Sequence, residues 1–288
     1  MSALRLLWPL LFASLALWSH SIPAAEVVTI EVAPGIVASA NFQQGEAEKP
    51  AILLMHGWLQ THEFSTIAQL FDSLSGSGYT VLSPTLSLGI NRRAKSLPCE
   101  AIHTNSIHDD ISEIEQWATW LSKREQKSLV LIGHSMGATE VLAFMSQYQG
   151  DQIKQTMMVS IAPIGPGWPE NMANNRDKER AQKSLAANET DIAEYGLTYC
   201  KKYVTTANNL LSFYHWDYEQ IRLALSKLPI PSQIIVGSDD SLLNIDLIQK
   251  LASQKIHVDV IDGAGHFFDK EFEFELHDAI ESHLTEQP

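Results

Sequence analysis

The sequence predicts an α/β domain whose mainly parallel sheet is covered by helices on both faces. Strand-like and helix-like segments alternate along the chain, a pattern typical of parallel strands joined by helical crossovers. Several strand segments are short and apolar throughout, as expected for strands buried on both faces. The chain has 288 residues, of which 45 % are hydrophobic and 19 % charged, and is therefore long enough for one large domain.

The first part of the chain supplies six predicted strands. Residues 27–32 and 36–41 are separated by Pro34-Gly35, which predicts two strands joined by a turn. The apolar run Ala51–Met55 is a predicted strand buried on both faces. The alternation continues with a helix over 64–74, a strand over 79–82 that ends at Pro84, a helix over 107–121, a strand over 129–132, a helix from 138 and a strand over 157–161.

The alternation breaks between Pro163 and Leu228. Pro, Asn, Lys and Glu are frequent in this segment, and its helical pieces are amphipathic with no strands between them. We therefore predict a short helical lid over about 164–228, inserted into one domain that spans 26–288. The pattern resumes with a strand over 233–236, a helix over 242–251, a strand over 257–261 and a last helix to about 284.

The first 25 residues have the pattern of a secretory signal peptide. Arg5 precedes an apolar stretch that ends at Trp18, and Pro23-Ala24-Ala25 supplies small residues before Glu26. Cleavage after Ala24 or Ala25 would release a secreted or periplasmic protein. The alternative is a leader that stays attached as a membrane anchor. No later stretch approaches the ~20 apolar residues that span a bilayer, so no membrane span is expected after leader removal.

The formal net charge of −14 excludes nucleic acid as a partner, because such a surface repels phosphate backbones. Nothing in the sequence indicates an oligomeric state. The two cysteines, Cys99 and Cys200, form an even pair, which in an exported protein indicates one disulfide around a loop of about 100 residues. Two free buried thiols are the alternative.

A candidate nucleophile lies in Gly133-His134-Ser135-Met136-Gly137, between an apolar strand and a helix-prone segment. A Gly-x-Ser-x-Gly sequence in this setting is typical of the tight turn that exposes a nucleophilic serine. We expect both glycines to be required because a Cβ at either position would collide with the neighbouring helix and strand.

Serine needs a base, an acid that orients the base, and donors for the oxyanion. His266, in the loop after the last predicted strand, is the candidate base. Asp240 is the candidate acid, because it follows the strand 233–236 and completes the chain order Ser, Asp, His. Asp239 is its competitor, and one of these two carboxylates is expected to cap the following helix.

The candidate oxyanion donors are two backbone amides. One belongs to Met136, directly after the nucleophile, and the other to Trp58 in the loop after Ala51–Met55. His56 and His134 are interpreted as structural hydrogen-bonding groups and not as additional bases.

These motifs together resemble the α/β-hydrolase superfamily, over about residues 27–285. The resemblance is carried by His56-Gly57-Trp58, by the serine motif 133–137, by Gly237-Ser238-Asp239-Asp240 and by Gly263-Ala264-Gly265-His266-Phe267. It implies an eight-stranded sheet, a helical lid after the sixth strand, and no metal or organic cofactor. Members include esterases, lipases, thioesterases, peptidases and carbon–carbon bond hydrolases, so the fold does not identify the substrate.

On this basis we expect a secreted serine hydrolase acting on small-molecule carboxylic esters with small to medium acyl groups. The rivals are a thioesterase, amidase or carbon–carbon hydrolase with the same triad, and a non-catalytic binding protein with this fold. The segment from Pro84 to Cys99 is predicted to line the mouth of the pocket, tied to the lid by the disulfide. His103 and His108 lack a third ligand for a metal. The aromatic residues of the lid are interpreted either as an acyl pocket or as packing; they are Trp168, Phe213, Tyr214, Trp216 and Tyr218.

Overall fold

The computed structural model describes residues 24–167, 172–253 and 256–285. All but the last two residues of the predicted signal peptide, 1–25, lie outside these ranges, so the signal peptide stays a prediction. Within the described ranges, every helix is too short or too polar to cross a lipid bilayer.

Eight strands form one central sheet, and two more form a separate antiparallel pair. The strands are β1 (Glu26–Ala33), β2 (Ile36–Gln43), β3 (Ala51–Met55), β4 (Thr80–Thr85), β5 (Leu129–His134), β6 (Ile153–Val159), β7 (Ile192–Leu197), β8 (Cys200–Thr206), β9 (Ser232–Gly237) and β10 (Ile256–Ile261). The order across the sheet is β1-β2-β4-β3-β5-β6-β9-β10, and only β2 runs against the other strands. The predicted eight-stranded, mostly parallel sheet is confirmed.

Helices cover both faces of the sheet, as predicted. They are α1 (Ser65–Gly76), α2 (Ile107–Glu125), α3 (Met136–Met145), α4 (Asn175–Ala186), α5 (Ala207–Tyr214), α6 (Tyr218–Lys227), α7 (Ile245–Gln249) and α8 (Phe272–Thr285). Alternate residues of β3 point to opposite faces, so that Leu53 and Met55 join the core with α2 and α3. Ile52 and Leu54 join the core with α1 and α8. Burial on both faces accounts for the apolar residue at every position of β3.

Three predicted elements have the wrong bounds. The strand predicted over 157–161 is β6, which begins four residues earlier and ends two residues earlier. β4 continues through Pro84 to Thr85. Beyond Leu82 it pairs only with β2 and no longer with β3, so a proline without an N–H is tolerated there. The predicted helix over 242–251 is shorter, since α7 begins after Asn244, whose side chain accepts a hydrogen bond from the Leu247 amide.

The insertion between β6 and β9 corrects the prediction of a purely helical lid. It contains α4, α5 and α6, but β7 and β8 between them form an antiparallel hairpin. The two-residue turn, Thr198-Tyr199, contains neither Gly nor Asn, the residues that mark most tight hairpins. For this reason the hairpin has no turn signal in the sequence.

The hairpin is fixed to the loop that precedes α2. Cys99 and Cys200 form a disulfide across a sequence separation of 101 residues, so the two cysteines are not free thiols. Beside it, the His103 amide donates to the Val204 carbonyl (2.8 Å), and the His103 ring stacks on Tyr203 with 4.2 Å between ring centroids. This loop therefore supports the hairpin.

We predict that replacing both cysteines by serine destabilises the fold. A cross-link that closes a loop of this length restricts the unfolded chain by on the order of 4 kcal/mol. Urea unfolding of the oxidised protein and of the Cys99→Ser, Cys200→Ser double variant measures the difference, with reductant added to the double variant as the control. The prediction would be contradicted if reductant left the unfolding midpoint of the wild-type protein unchanged and both of its thiols were freely alkylated in the native state.

Candidate active site

Ser135 lies at a sharp turn between β5 and α3. Its backbone has φ 56° and ψ −122°, a conformation that costs an L-residue energy and persists only where the surroundings enforce it. An ideal Cβ on Gly133 would lie 2.4 Å from the Gly137 carbonyl oxygen, and one on Gly137 would lie 2.3 Å from the His56 carbonyl oxygen. The expectation that both positions require glycine is therefore met.

Ser135, His266 and Asp240 form one hydrogen-bonded chain. The Ser135 Oγ lies 2.9 Å from His266 Nε2, and His266 Nδ1 lies 2.8 Å from Asp240 Oδ2. The carboxylate also accepts hydrogen bonds from the Ser160 hydroxyl (2.9 Å) and from the Leu242 amide (3.0 Å). These bonds stabilise a buried carboxylate that then accepts the Nδ1–H, which leaves Nε2 to accept the serine proton.

The structure separates the two adjacent carboxylates. Asp240 is buried and contacts His266, whereas Asp239 is exposed and its amide donates to the Ala264 carbonyl (2.9 Å). Neither carboxylate caps α7, contrary to the prediction, because Asn244 occupies the capping position.

Three parallel strands place these side chains at one edge of the sheet. Ser135 directly follows β5, Asp240 lies three residues after β9, and His266 lies five residues after β10. Because all three strands run in the same direction, their carboxyl ends meet at this edge, where ligands bind in open α/β sheets.

Two buried histidines support the site. Burial and the neighbouring His266 lower the pKa of His134 to about 3, so it is neutral at physiological pH. The neutral His134 ring donates from Nε2 to the His266 carbonyl (2.9 Å) and holds the loop that carries the candidate base. The pKa of His56 is lowered to about 3 by burial and by Arg93. Its Nε2 accepts from the Leu86 amide (3.0 Å), so both rings have structural hydrogen bonds.

Both candidate oxyanion donors lie beside Ser135. Met136 is the first residue of α3, and its N–H is one of the amides at a helix N-terminus that have no partner within the helix. Trp58 lies in the loop after β3, where an ideal Cβ on Gly57 would be 3.3 Å from the Ser135 Cβ. Met136 and Trp58 both line the same cleft as Ser135 and His266.

The cleft above Ser135 is small and mostly apolar, with a volume of about 480 Å³ that includes the solvent space at its open mouth. Thr198 and Tyr199, the turn of the β7–β8 hairpin, form part of its wall, and the Tyr199 hydroxyl donates to the Trp58 carbonyl (3.3 Å). The residues that line the cleft are Trp58, Ser135, Met136, Ala162, Pro163, Ile164, Thr198, Tyr199, Leu242 and His266.

One expectation about this cleft is wrong, and one pair of alternatives is resolved. No residue of the segment from Pro84 to Cys99 lines the cleft, whereas the hairpin turn Thr198-Tyr199 forms part of its wall. Of the lid aromatic residues considered for an acyl pocket, the four that the structure describes do not line the cleft. Phe213, Tyr214 and Trp216 are buried, Phe213 packs on Trp58 with 5.3 Å between ring centroids, and the Tyr218 hydroxyl donates to the Leu247 carbonyl (3.1 Å). They therefore serve as packing, while Trp168 lies outside the described residues. Tyr199 was missed, although its position next to Cys200 was a signal that the disulfide would hold it near the site.

Comparisons with known proteins agree with this fold. A family model described as the alpha/beta hydrolase family matches residues 52–272. No curated protein matches the sequence significantly.

Solved structures share the fold at low identity. Est1E from Butyrivibrio proteoclasticus aligns with a TM-score of 0.66 and 16 % identity, over 90 % of this chain and 98 % of that protein. A bromoperoxidase from Bacillus anthracis aligns with a TM-score of 0.61 and 18 % identity, over 91 % and 100 %. A thioesterase domain from the curacin biosynthetic pathway aligns with a TM-score of 0.59 and 16 % identity, over 91 % and 99 %. At these identities the likeness establishes the fold alone.

We predict that Gly137→Ala destabilises the protein, because the new methyl group would overlap the His56 carbonyl oxygen. Overpacking against backbone that cannot move costs about 3 kcal/mol. Gly76→Ala, in the last position of α1 with no atom within 4 Å of the new Cβ, is the matched control and should change stability by less than about 1 kcal/mol. Urea unfolding curves compare the two variants. Equal midpoints for Gly137→Ala and the parent protein would show that the packing is looser than described.

Proposed function

This chain belongs to the alpha/beta hydrolase family, and from that membership we propose that it is an exported serine hydrolase that cleaves carboxylic esters. The observation that carries the proposal is the hydrogen-bonded chain from Ser135 through His266 to Asp240. A hydroxyl becomes an effective nucleophile when a neutral imidazole accepts its proton and a buried carboxylate orients that imidazole.

In the proposed mechanism, the Ser135 Oγ attacks the ester carbonyl while His266 Nε2 takes the hydroxyl proton. The tetrahedral intermediate collapses when Nε2–H gives this proton to the departing alcohol, which leaves an acyl group on Ser135. Water then attacks the acyl carbonyl while His266 Nε2 takes one of its protons. Nε2–H gives that proton to the Ser135 Oγ as the bond between Oγ and the acyl carbon breaks, which releases the free acid and restores the serine hydroxyl. Asp240 keeps Nδ1 protonated throughout and stabilises the imidazolium that forms in each half-reaction.

The amides of Trp58 and Met136 are the proposed donors to the oxyanion. Each peptide N–H is fixed before the substrate arrives, so it stabilises the developing charge without reorganisation. Removing one such donor typically costs about 3 kcal/mol of transition-state stabilisation.

The size and the apolar lining of the cleft favour substrates with small to medium, uncharged acyl groups. Its described lining residues are apolar apart from Thr198, Tyr199 and the reacting side chains, and none of those described carries a permanent charge. A carboxylate or an ammonium group on the acyl part would lose its hydration there without gaining a partner.

The disulfide supports export, because such bonds persist in oxidising compartments and are rare in the cytosol. Together with the signal-like residues 1–25, it favours a secreted or periplasmic location. N-terminal sequencing of the exported protein distinguishes a cleaved leader from a membrane anchor.

A fluorophosphonate probe tests the proposed nucleophile. We expect the wild-type protein to be labelled on Ser135 and the Ser135→Ala variant to be unlabelled. Ser226→Ala, which removes an exposed hydroxyl in α6 away from the site, is the control and should remain labelled. A wild-type protein that stays unlabelled and inert would favour a non-catalytic binding protein.

A panel of substrates tests which type of bond the enzyme cleaves. p-Nitrophenyl esters of increasing acyl length, matched thioesters and matched anilides should show the highest kcat/KM for short esters. Faster turnover of thioesters or anilides than of esters at every acyl length would reassign the enzyme to a thioesterase or an amidase.

The adjacent carboxylates offer a matched pair of variants. Asp240→Asn should lower kcat by about 10⁴-fold, because the amide no longer holds the imidazole in the required tautomer. Asp239→Asn removes an exposed carboxylate one residue away and should leave kcat within a few-fold of wild type. Steady-state kinetics with one short ester measures both. Similar losses in the two variants, or a larger loss for Asp239→Asn, would show that the wrong carboxylate has been assigned.

A further inference from the structure

The side chain of Arg93 is buried behind the loop that carries Trp58. Only 4 % of the residue is exposed, although it carries a guanidinium group. Burial lowers the pKa of Arg93 to about 10, and the carboxylates of Glu113, Asp110 and Glu140 oppose that shift, so the group remains charged at neutral pH. A buried charge of this kind is costly unless its donors are satisfied.

All the hydrogen-bonding partners of Arg93 lie in or next to the loop 56–60 and the segment 86–95. Three of its nitrogens donate to the neutral acceptors Leu86 O (2.6 Å), Lys95 O (3.0 Å), Leu59 O (3.5 Å), Gln60 O (2.7 Å) and His56 Nε2 (3.3 Å). One guanidinium group thus joins both ends of the loop that surrounds Trp58.

His56 connects Arg93 to the peptide group between Gly57 and Trp58 through a hydrogen bond at each ring nitrogen. Its Nε2 lies within reach of two donors, the Leu86 amide and the Arg93 guanidinium, so Nε2 must be the acceptor and the ring proton is on Nδ1. The Nδ1–H then donates to the Gly57 carbonyl oxygen at 2.9 Å. The positive charge of Arg93 reinforces this tautomer by keeping His56 neutral.

The orientation of the Gly57 carbonyl decides where the Trp58 amide points. The described peptide bonds are all trans, and in a trans peptide the C=O and N–H point in opposite directions. A Gly57 carbonyl turned toward His56 and toward the Gln60 amide (3.2 Å) therefore turns the Trp58 N–H the other way. The next two carbonyl groups along the chain are also held by hydrogen bonds. The Tyr199 hydroxyl donates to the Trp58 carbonyl, and the Leu97 amide donates to the Leu59 carbonyl.

We propose that Arg93 is a positioning residue for the oxyanion site, acting through His56 on the peptide group that presents the Trp58 N–H. This inference rests on the proposed serine hydrolase function. It assigns a role to a buried arginine whose neighbour in sequence, Arg92, is exposed.

The test separates transition-state from ground-state binding. A trifluoromethyl ketone forms a tetrahedral adduct with the serine, and its oxyanion needs the Trp58 amide. The corresponding secondary alcohol fills the cleft without forming an oxyanion. Arg93→Met and Arg93→Lys are compared with Arg92→Met, which removes an exposed charge at the adjacent position.

For Arg93→Met we expect kcat on a short ester to fall about 100-fold, the effect of misplacing a catalytic group by about 1 Å. KM and the affinity for the alcohol should stay near the wild-type values, and affinity for the trifluoromethyl ketone should fall by the same factor as kcat/KM. Arg93→Lys keeps the charge but loses the fork of donors, and should fall about 10-fold in the same pattern. The midpoint of the rising limb of the pH–rate profile should be unchanged, because the contact between His266 and Asp240 is intact.

Two results would overturn the inference. One is a kcat and ketone affinity for Arg93→Met close to those of Arg92→Met. Another is an equal loss of alcohol and ketone affinity, which would indicate general disruption of the cleft. If Arg93→Met does not fold, Arg93→Lys decides by the same ratio of ketone to alcohol affinity. A wild-type protein that neither hydrolyses esters nor binds the ketone would overturn the proposed function itself, a result distinct from the other two.

Discussion

The close packing of α3 against the end of β3 is the constraint on which the site depends. At Gly137 the helix approaches the His56 carbonyl so closely that no side chain fits between them. This contact sets the first turn of α3, and with it the strained backbone of Ser135, against the loop that carries Trp58. The candidate nucleophile and both candidate oxyanion donors are therefore held by a single region of backbone packing.

The remaining parts of the site are held by hydrogen bonds between buried groups. Asp240 and His266 lie on loops after two other strands, and their mutual hydrogen bond joins those loops to Ser135. Two buried neutral histidines, His56 and His134, fix the backbone of the loops that surround the nucleophile. In a region with so little water, each of these hydrogen bonds is stronger than it would be at the surface, and an unpaired group would be correspondingly costly.

Much of the fold and of the candidate site was predictable because the responsible signals are local. β3 and β5 are apolar on both faces, and the glycines around Ser135 reflect a steric requirement within one turn. The parallel arrangement then brings the ends of β5, β9 and β10 together, which is why Ser135, Asp240 and His266 could be selected from chain order.

The features that were missed depend on contacts between distant segments. The β7–β8 hairpin has the turn Thr198-Tyr199, which carries no turn signal, and it is held by the disulfide and by the His103 backbone. Nothing local distinguishes the buried Arg93 from the exposed Arg92, since burial follows from the path of the whole segment after β4.

If Ser135 carries the acyl group during turnover, rapid-mixing kinetics with an activated ester should show a burst of released alcohol. The burst should equal one equivalent per protein chain. Acid quenching during the burst should leave one acyl group on the peptide that contains Ser135. Steady release of alcohol without a burst, together with an acyl group on another residue, would contradict the account.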